Sequence, residues 1–119
     1  MDIKKYRSNL ADNVINQMAE YIEEYGEFCS FSKKDIAKCE EIILGYLSAL
    51  DGIKKPDNRK IMREVKAVVI ALNKLNKKTK YSLIETMERE AIWEIIQSSA
   101  VERGLTNPAD DITEKWRDW

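Results

Sequence analysis

Apolar residues recur three and four positions apart in four long stretches of the chain, and this spacing limits the possible folds more than any other feature. In the first stretch they are Leu10, Ala11, Val14, Ile15, Met18, Ile22 and Tyr25. Such spacing places apolar side chains along one face of a helix. The 119 residues include only four glycines and two prolines, without the regularly spaced turns of sandwiches and small barrels. The sequence therefore predicts an all-α fold.

Local signals predict where the first two helices begin and end. The first runs from Ser8 to Gly26, because glycine is favoured just beyond the last helical turn. The second follows Ser32, whose side chain can form a capping box with Asp35, and it ends at Gly52. Its apolar face is wider than one neighbouring helix could cover, so we expect this helix at the centre of the core.

The third and fourth helices are placed by the same kind of signal. The third begins after Asp57 and closes at Asn76. The fourth can begin at Ser82 or at Thr86, and we prefer Ser82 because a glutamate stands three positions after it. It ends at Gly104. The buried side of this helix is predicted to comprise Ile84, Met87, Ala91, Ile92, Ile95, Ile96 and Ser99.

Short connectors between four long helices predict an antiparallel four-helix bundle. The length of 119 residues suits one domain spanning residues 1–119. Beyond the fourth helix, Ile112, Trp116 and Trp119 are spaced like one stripe of a helix, so we expect a short C-terminal helical segment docked on the bundle. Hydrophobic residues make up 44% of the chain, enough for a core that needs no bridge between Cys29 and Cys39. Both cysteines are predicted to be free.

Missing residue types exclude several classes of chemistry. The chain contains no histidine, the commonest general base near neutral pH and a frequent metal ligand. Two cysteines cannot complete a four-ligand zinc site, and isolated glycines form no phosphate-binding loop. We therefore expect no enzymatic activity, no metal and no cofactor. The longest strongly apolar stretch, residues 42–50, is too short to span a membrane. We expect a cytoplasmic monomer or weak homodimer without membrane association.

Basic residues concentrate in the middle of the chain. Residues 1–52 contain six Lys/Arg and ten Asp/Glu, residues 53–80 contain ten and two, and residues 81–119 contain four and nine. The net charges of these segments are −4, +8 and −5, which add up to −1 for the whole chain. On a helical wheel, four cations of the third helix fall within roughly 80° opposite its apolar stripe, with Ile70 among them. We call these cations the basic ridge: Arg59, Arg63, Lys66 and Lys74.

The basic ridge, together with Ile70, predicts a surface for an anionic partner. We prefer an acidic surface of another protein, because the ridge lacks interleaved aromatic residues and its helix is longer than those of a helix-turn-helix. A nucleic-acid backbone bound through phosphate contacts is the alternative. The ridge could instead be neutralised within the molecule by glutamates of the first and fourth helices, which are Glu20, Glu23, Glu24, Glu27, Glu88, Glu90 and Glu94.

Trp116 and Trp119 form the second predicted partner-binding feature. Tryptophan is prominent among the residues that dominate interface energetics, so an exposed pair could anchor in a partner's groove. In the other interpretation, both side chains pack within the molecule near Trp93, because exposed indoles reduce solubility. The sequence leaves both interpretations open.

Overall fold

All four predicted helical segments are present in the computed structural model, which describes residues 1–119 and contains no strand. The first predicted helix consists of two α-helices joined by a short π-helical segment. The elements are α1 (Ile3–Leu10), the π segment (Ala11–Ile15), α2 (Asn16–Tyr25), α3 (Lys33–Asp51), α4 (Asn58–Lys78) and α5 (Thr86–Arg103). The all-α prediction is confirmed. No helix is both long enough and apolar enough to cross a lipid bilayer.

The first helix begins at Ile3, five residues before the predicted start at Ser8. The Asp2 carboxylate caps it by accepting a hydrogen bond from the backbone N–H of Lys5 at 3.2 Å. Tyr6 is buried, and its hydroxyl donates a hydrogen bond to Glu102 of α5. The prediction missed this turn because the flanking charged residues obscure the apolar pattern.

The start of α3 agrees with the prediction. The hydroxyl oxygen of Ser32 accepts from the backbone N–H of Asp35 at 3.4 Å, and the Asp35 carboxylate accepts from the backbone N–H of Ser32 at 2.9 Å. This reciprocal pair is the predicted capping box. The buried apolar residues of α3 cover a wide face, as expected for a central helix, and are Ile36, Cys39, Ile43, Tyr46, Leu47 and Leu50.

The predicted end of the third helix is wrong. α4 begins after Asp57, as predicted, but it continues through Asn76 to Lys78. Asn76 is buried, and its side-chain oxygen accepts from the backbone N–H of Ile84 at 3.0 Å. Its carbonyl oxygen accepts from the backbone N–H of Tyr81 at 2.7 Å. Asn76 therefore fixes the loop that follows the helix rather than ending the helix.

The preferred start of the fourth helix at Ser82 is also wrong, because α5 begins at Thr86. The Ser82 hydroxyl donates to the carbonyl oxygen of Thr79 at 2.6 Å and accepts from no backbone N–H of the following residues, so it does not cap a helix. The later start also changes the buried face. Met87, predicted to be buried, is 69% exposed, whereas Ile92, Ile95, Ile96 and Ser99 are buried as predicted.

The core is a single cluster of 25 buried apolar residues drawn from all of the α-helices, the π segment, the loops before α3 and α5, and the chain beyond α5. Polar groups within it have partners. The Tyr46 hydroxyl donates to the carbonyl oxygen of Ile96 at 3.0 Å, and the Ser99 hydroxyl donates to that of Ile95 at 2.6 Å. Buried polar groups without such partners are costly, so these bonds allow α3 and α5 to pack closely.

Residues 105–119, which we call the C-terminal segment, are docked on the helices but do not form the predicted short helix. Their regular structure is limited to turns, in which the backbone N–H of Arg117 donates to the carbonyl oxygen of Thr113 at 3.0 Å. Ile112 is buried, and its backbone N–H donates to the Gln97 side chain at 3.0 Å. The Asn73 side chain donates to the carbonyl oxygen of Trp116 at 2.7 Å. The segment is therefore attached to both α4 and α5.

Candidate functional site

The basic ridge lies on the face of α4 that is not packed in the core. The side chains of its four cations are all exposed, whereas Ile61, Val65, Val68, Val69 and Leu72 of the same helix are buried. Ile70 is half-buried and does not belong to the core cluster. The helix therefore has the charged face that the helical wheel indicates.

None of the ridge cations has an intramolecular ion-pair partner. The ion pairs of the protein, with nitrogen–oxygen distances up to 4.0 Å, are Lys5–Glu102, Lys38–Glu41, Lys78–Asp35 and Arg117–Asp111. The glutamates of the first and fourth predicted helices thus form no direct ion pair with the ridge. Its four positive charges are exposed to solvent and lack a bound carboxylate.

Trp116 lies beside the basic ridge. Its ring centroid is 5.9 Å from the Lys66 ammonium nitrogen and 5.7 Å from that of Lys115, distances typical of cation–π contacts. The ring also lines a shallow cleft of about 300 Å³ together with Met62 and Leu105. Trp116 is half-buried and packs against the core. The structure therefore brings one of the two predicted tryptophans to the ridge.

Trp119 lies in a different cleft, with Trp93 and Arg89 of α5, and is also half-buried against the core. Its ring centroid is 5.3 Å from the guanidinium carbon of Arg117. The two C-terminal tryptophans therefore do not form one anchor. The interpretation that packs Trp119 near Trp93 agrees with this placement.

This second cleft, which we call the α5–tail cleft, has a volume of about 550 Å³ and is lined by Arg89, Glu90, Trp93, Asp111, Glu114, Arg117 and Trp119. Three of these residues carry the buried side-chain N–H groups of the protein that lack an acceptor: Trp93 Nε1, Arg117 Nε and Trp119 Nε1. Arg117 uses another nitrogen, Nη2, to contact the Asp111 carboxylate at 3.0 Å. The sequence does not indicate this cleft, because its residues come from two segments that no local motif connects.

An acidic cleft of about 490 Å³ lies between α2 and α5 and is lined by Gln17, Glu20, Tyr21, Glu24, Glu85, Thr86, Met87 and Glu88. None of its four glutamates forms an ion pair. Burial raises the pKa of Glu88, and the nearby Glu85 charge contributes to the same shift. Negative charge is thus concentrated on α2 and the start of α5, whereas the four cations of the basic ridge are on α4.

The two cysteines are free, as predicted. Cys39 is completely buried, and burial raises the pKa of its thiol to about 12. A thiol with so high a pKa contains almost no thiolate near neutral pH and is a poor nucleophile. The half-buried Cys29 thiol donates to the carbonyl oxygen of Phe31 at 3.4 Å.

No protein-family model matches this sequence, and searches of curated proteins and of solved structures give no match.

Proposed function

We propose that this protein is a small interaction module that binds an acidic surface of a protein partner through the basic ridge and Ile70. The observation that supports this role most directly is that four exposed cations on one helix lack any carboxylate within ion-pairing distance. Ordinary surfaces intersperse charges of both signs, whereas residues 53–80 carry a net charge of +8. An acidic partner surface supplies the missing negative charge.

Two neighbouring residues favour a protein partner over a nucleic acid. Ile70 adds an apolar contact within the ridge, and Trp116 adds an aromatic one at its margin beside Lys66. Aromatic and arginine side chains are enriched in protein–protein interfaces. Trp119, in its own cleft, is a separate candidate contact of the proposed module.

The remaining features of the proposal follow from the sequence. The module is a single cytoplasmic domain, a monomer or weak homodimer that acts by binding rather than catalysis. Its helices form an antiparallel four-helix bundle, for which the short connectors provide support. The alternative function is a nucleic-acid-associated factor that uses the same ridge for phosphate contacts.

The test compares two anionic probes, a fluorescent oligo-glutamate peptide and a fluorescent DNA duplex, by fluorescence anisotropy over a range of salt concentrations. We expect the peptide to bind and to dissociate as salt is raised, and the duplex to bind negligibly at physiological salt. The double substitution Arg63→Glu and Lys66→Glu abolishes peptide binding. The matched control, Lys33→Glu with Lys34→Glu, reverses two exposed cations of α3 that also lack ion pairs and leaves binding nearly unchanged.

Two outcomes contradict the proposal. Peptide binding that survives reversal of Arg63 and Lys66 would exclude the ridge as the binding surface. Salt-dependent duplex binding that the same reversal abolishes would establish the nucleic-acid alternative. In that case the logarithm of the association constant for the duplex falls linearly with the logarithm of the salt concentration, with a slope of roughly three to four for four phosphate contacts. Each cation that is removed lowers this slope by about one.

A further inference from the structure

Three residues that line the α5–tail cleft carry every buried side-chain nitrogen of the protein that lacks a hydrogen-bond acceptor. Two belong to the indoles of Trp93 and Trp119, and the third is Nε of Arg117. More than about nine in ten buried polar groups in proteins have a partner, so three exceptions in one cleft are unusual. All three are donors. The carboxylates of Glu90, Asp111 and Glu114 also line the cleft, but none of them accepts from these three N–H groups. A ligand with carboxylate or carbonyl oxygens would supply the missing acceptors.

The charges that line the cleft restrict the ligand further. Arg117 and Asp111 form an ion pair at 3.0 Å and offset each other. The remaining charged side chains, Arg89, Glu90 and Glu114, have no ion-pair partner. One free guanidinium and two free carboxylates suit a ligand that carries both signs of charge. A phosphate or other multiply charged anion would find donors here, but it would also meet two carboxylates.

We propose that the α5–tail cleft binds a small zwitterion, which is a free amino acid or a short peptide with an apolar side chain. The ligand carboxylate accepts from the Arg89 guanidinium and from the unpartnered N–H groups. The ligand ammonium donates to Glu90 or Glu114, and its apolar side chain packs against the indole of Trp93. A volume of about 550 Å³ accommodates either ligand. This site is separate from the basic ridge and does not depend on the function proposed for it.

Binding in this cleft involves a local rearrangement of the C-terminal segment. The three unpartnered nitrogens are themselves covered by protein atoms. A ligand therefore reaches the nitrogens of Arg117 and Trp119 when these two side chains turn toward it. These two residues belong to a part of the chain that has only turns as regular structure, so the helices need not move.

The indole N–H groups provide a direct measurement. The full chain labelled with ¹⁵N is titrated to millimolar concentrations of L-leucine or of leucyl-leucine, and the three indole signals are followed by NMR. We expect saturable shifts for Trp93 and Trp119, and no shift for Trp116, which lies in the other cleft. Tighter binding of L-leucine identifies the zwitterion as a free amino acid, and tighter binding of leucyl-leucine identifies it as a short peptide.

Two analogues test the charges of the ligand separately. N-acetyl-leucine lacks the ammonium group and leucinamide lacks the carboxylate. Each is expected to bind about tenfold more weakly than leucine, since a factor of ten corresponds to the loss of one modest interaction. Equal binding of either analogue would contradict the zwitterion. Inorganic phosphate that shifts the same two signals more strongly than leucine would also overturn the proposal, in favour of an anion site.

Variants test the residues. Arg89→Gln and Trp119→Phe are expected to weaken leucine binding about tenfold, whereas Arg7→Gln and Trp116→Phe leave it unchanged. Arg7 is an exposed arginine on α1 without an ion pair and serves as the control for Arg89. Thermal melting by circular dichroism verifies that each variant folds. The absence of saturable shifts with leucine and with leucyl-leucine, or equal shifts for all three indoles, would overturn the proposal.

Discussion

Asp35 shows how one carboxylate can link two helices at the scale of a single residue. It accepts hydrogen bonds from the backbone N–H of Ser32 at 2.9 Å and from the Lys78 ammonium of α4 at 3.4 Å. Burial by itself raises the pKa of Asp35, but the hydrogen bonds from Ser32 and Lys78 outweigh it, and the net shift is downward. Folding therefore favours the ionised form of this side chain.

The lowered pKa of Asp35 predicts a pH-dependent contribution to stability. The contribution is complete above the unfolded-state pKa, near pH 4, and is lost as the pH falls through the lower folded-state value. Asp35→Asn is expected to reduce the free energy of unfolding at pH 7 by about 1 kcal/mol, with a smaller difference near pH 3. Urea denaturation at both pH values measures the effect. Asp51→Asn, at an exposed acid without an ion pair, is the control, and an equal loss at both pH values would contradict the prediction.

Single residues also show how much of the structure the sequence could predict. The bond between Ser32 and Asp35 was predictable because its partners are three positions apart. The role of Asn76 was not, because its partners Tyr81 and Ile84 lie across a loop whose path depends on tertiary packing. The α5–tail cleft was not predictable for the same reason, because Trp93 and Trp119 line one cleft only after the whole chain has folded.

At the scale of elements, periodicity identified the four helical stretches, but hydrogen bonds within a loop determined one of their boundaries. A glutamate follows Ser82 at capping-box spacing, yet Asn76 binds the backbone N–H of Ile84 and Thr79 binds the Ser82 hydroxyl. The hydrogen bonds of the loop before α5 therefore override the capping signal at Ser82. The exposed face of α4 was predictable, since it depends only on which residues of one helix are apolar.

The C-terminal segment is expected to stabilise the fold although it is not a helix. Truncation before Ile112 removes this buried side chain, the buried Thr113 and two half-buried indoles. Because burial of one large apolar side chain contributes roughly 1.5–3 kcal/mol, we expect a loss of about 3 kcal/mol or more in the free energy of unfolding. Urea denaturation measures it. Asn73→Ala, which removes the hydrogen bonds to Trp116 and Asp118, is expected to cost less, about 1–2 kcal/mol.

A truncated chain that unfolds at the same urea concentration as the full chain would contradict this prediction. The segment would then contribute nothing to the fold, and its tryptophans would again be candidates for a mobile partner anchor.

At the scale of the whole molecule, the basic ridge and the acidic cleft lie on different helices, a separation of charge that the near-zero net charge does not indicate. The net charge is only −1, but the exposed cations of the basic ridge lie on α4 and the unpaired glutamates of the acidic cleft lie on α2 and at the start of α5. The sequence predicted the ridge because its residues belong to one helix. It did not predict the acidic cleft, whose Glu20 and Glu85 are brought together by packing.

This division of charge predicts unusual behaviour in ion-exchange chromatography. At pH 7, above the isoelectric point of about 5.6, the average charge is negative and the protein would ordinarily pass through a cation exchanger. We expect a sulfonate resin at low salt to retain it through the basic ridge. The variant with Arg63→Glu and Lys66→Glu is expected to pass through, whereas the variant with Lys33→Glu and Lys34→Glu remains bound. A wild-type protein that passes through would contradict the prediction.

Retention through one face also fixes the orientation of the adsorbed molecule. With α4 against the sulfonate groups, the Tyr21 and Met87 side chains and their surrounding glutamates are on other helices and remain accessible to the buffer. A layer of this protein would therefore present carboxylates on a surface that was already negative. Its measured surface potential would stay negative after adsorption, although the contact that holds each molecule is made by lysine and arginine.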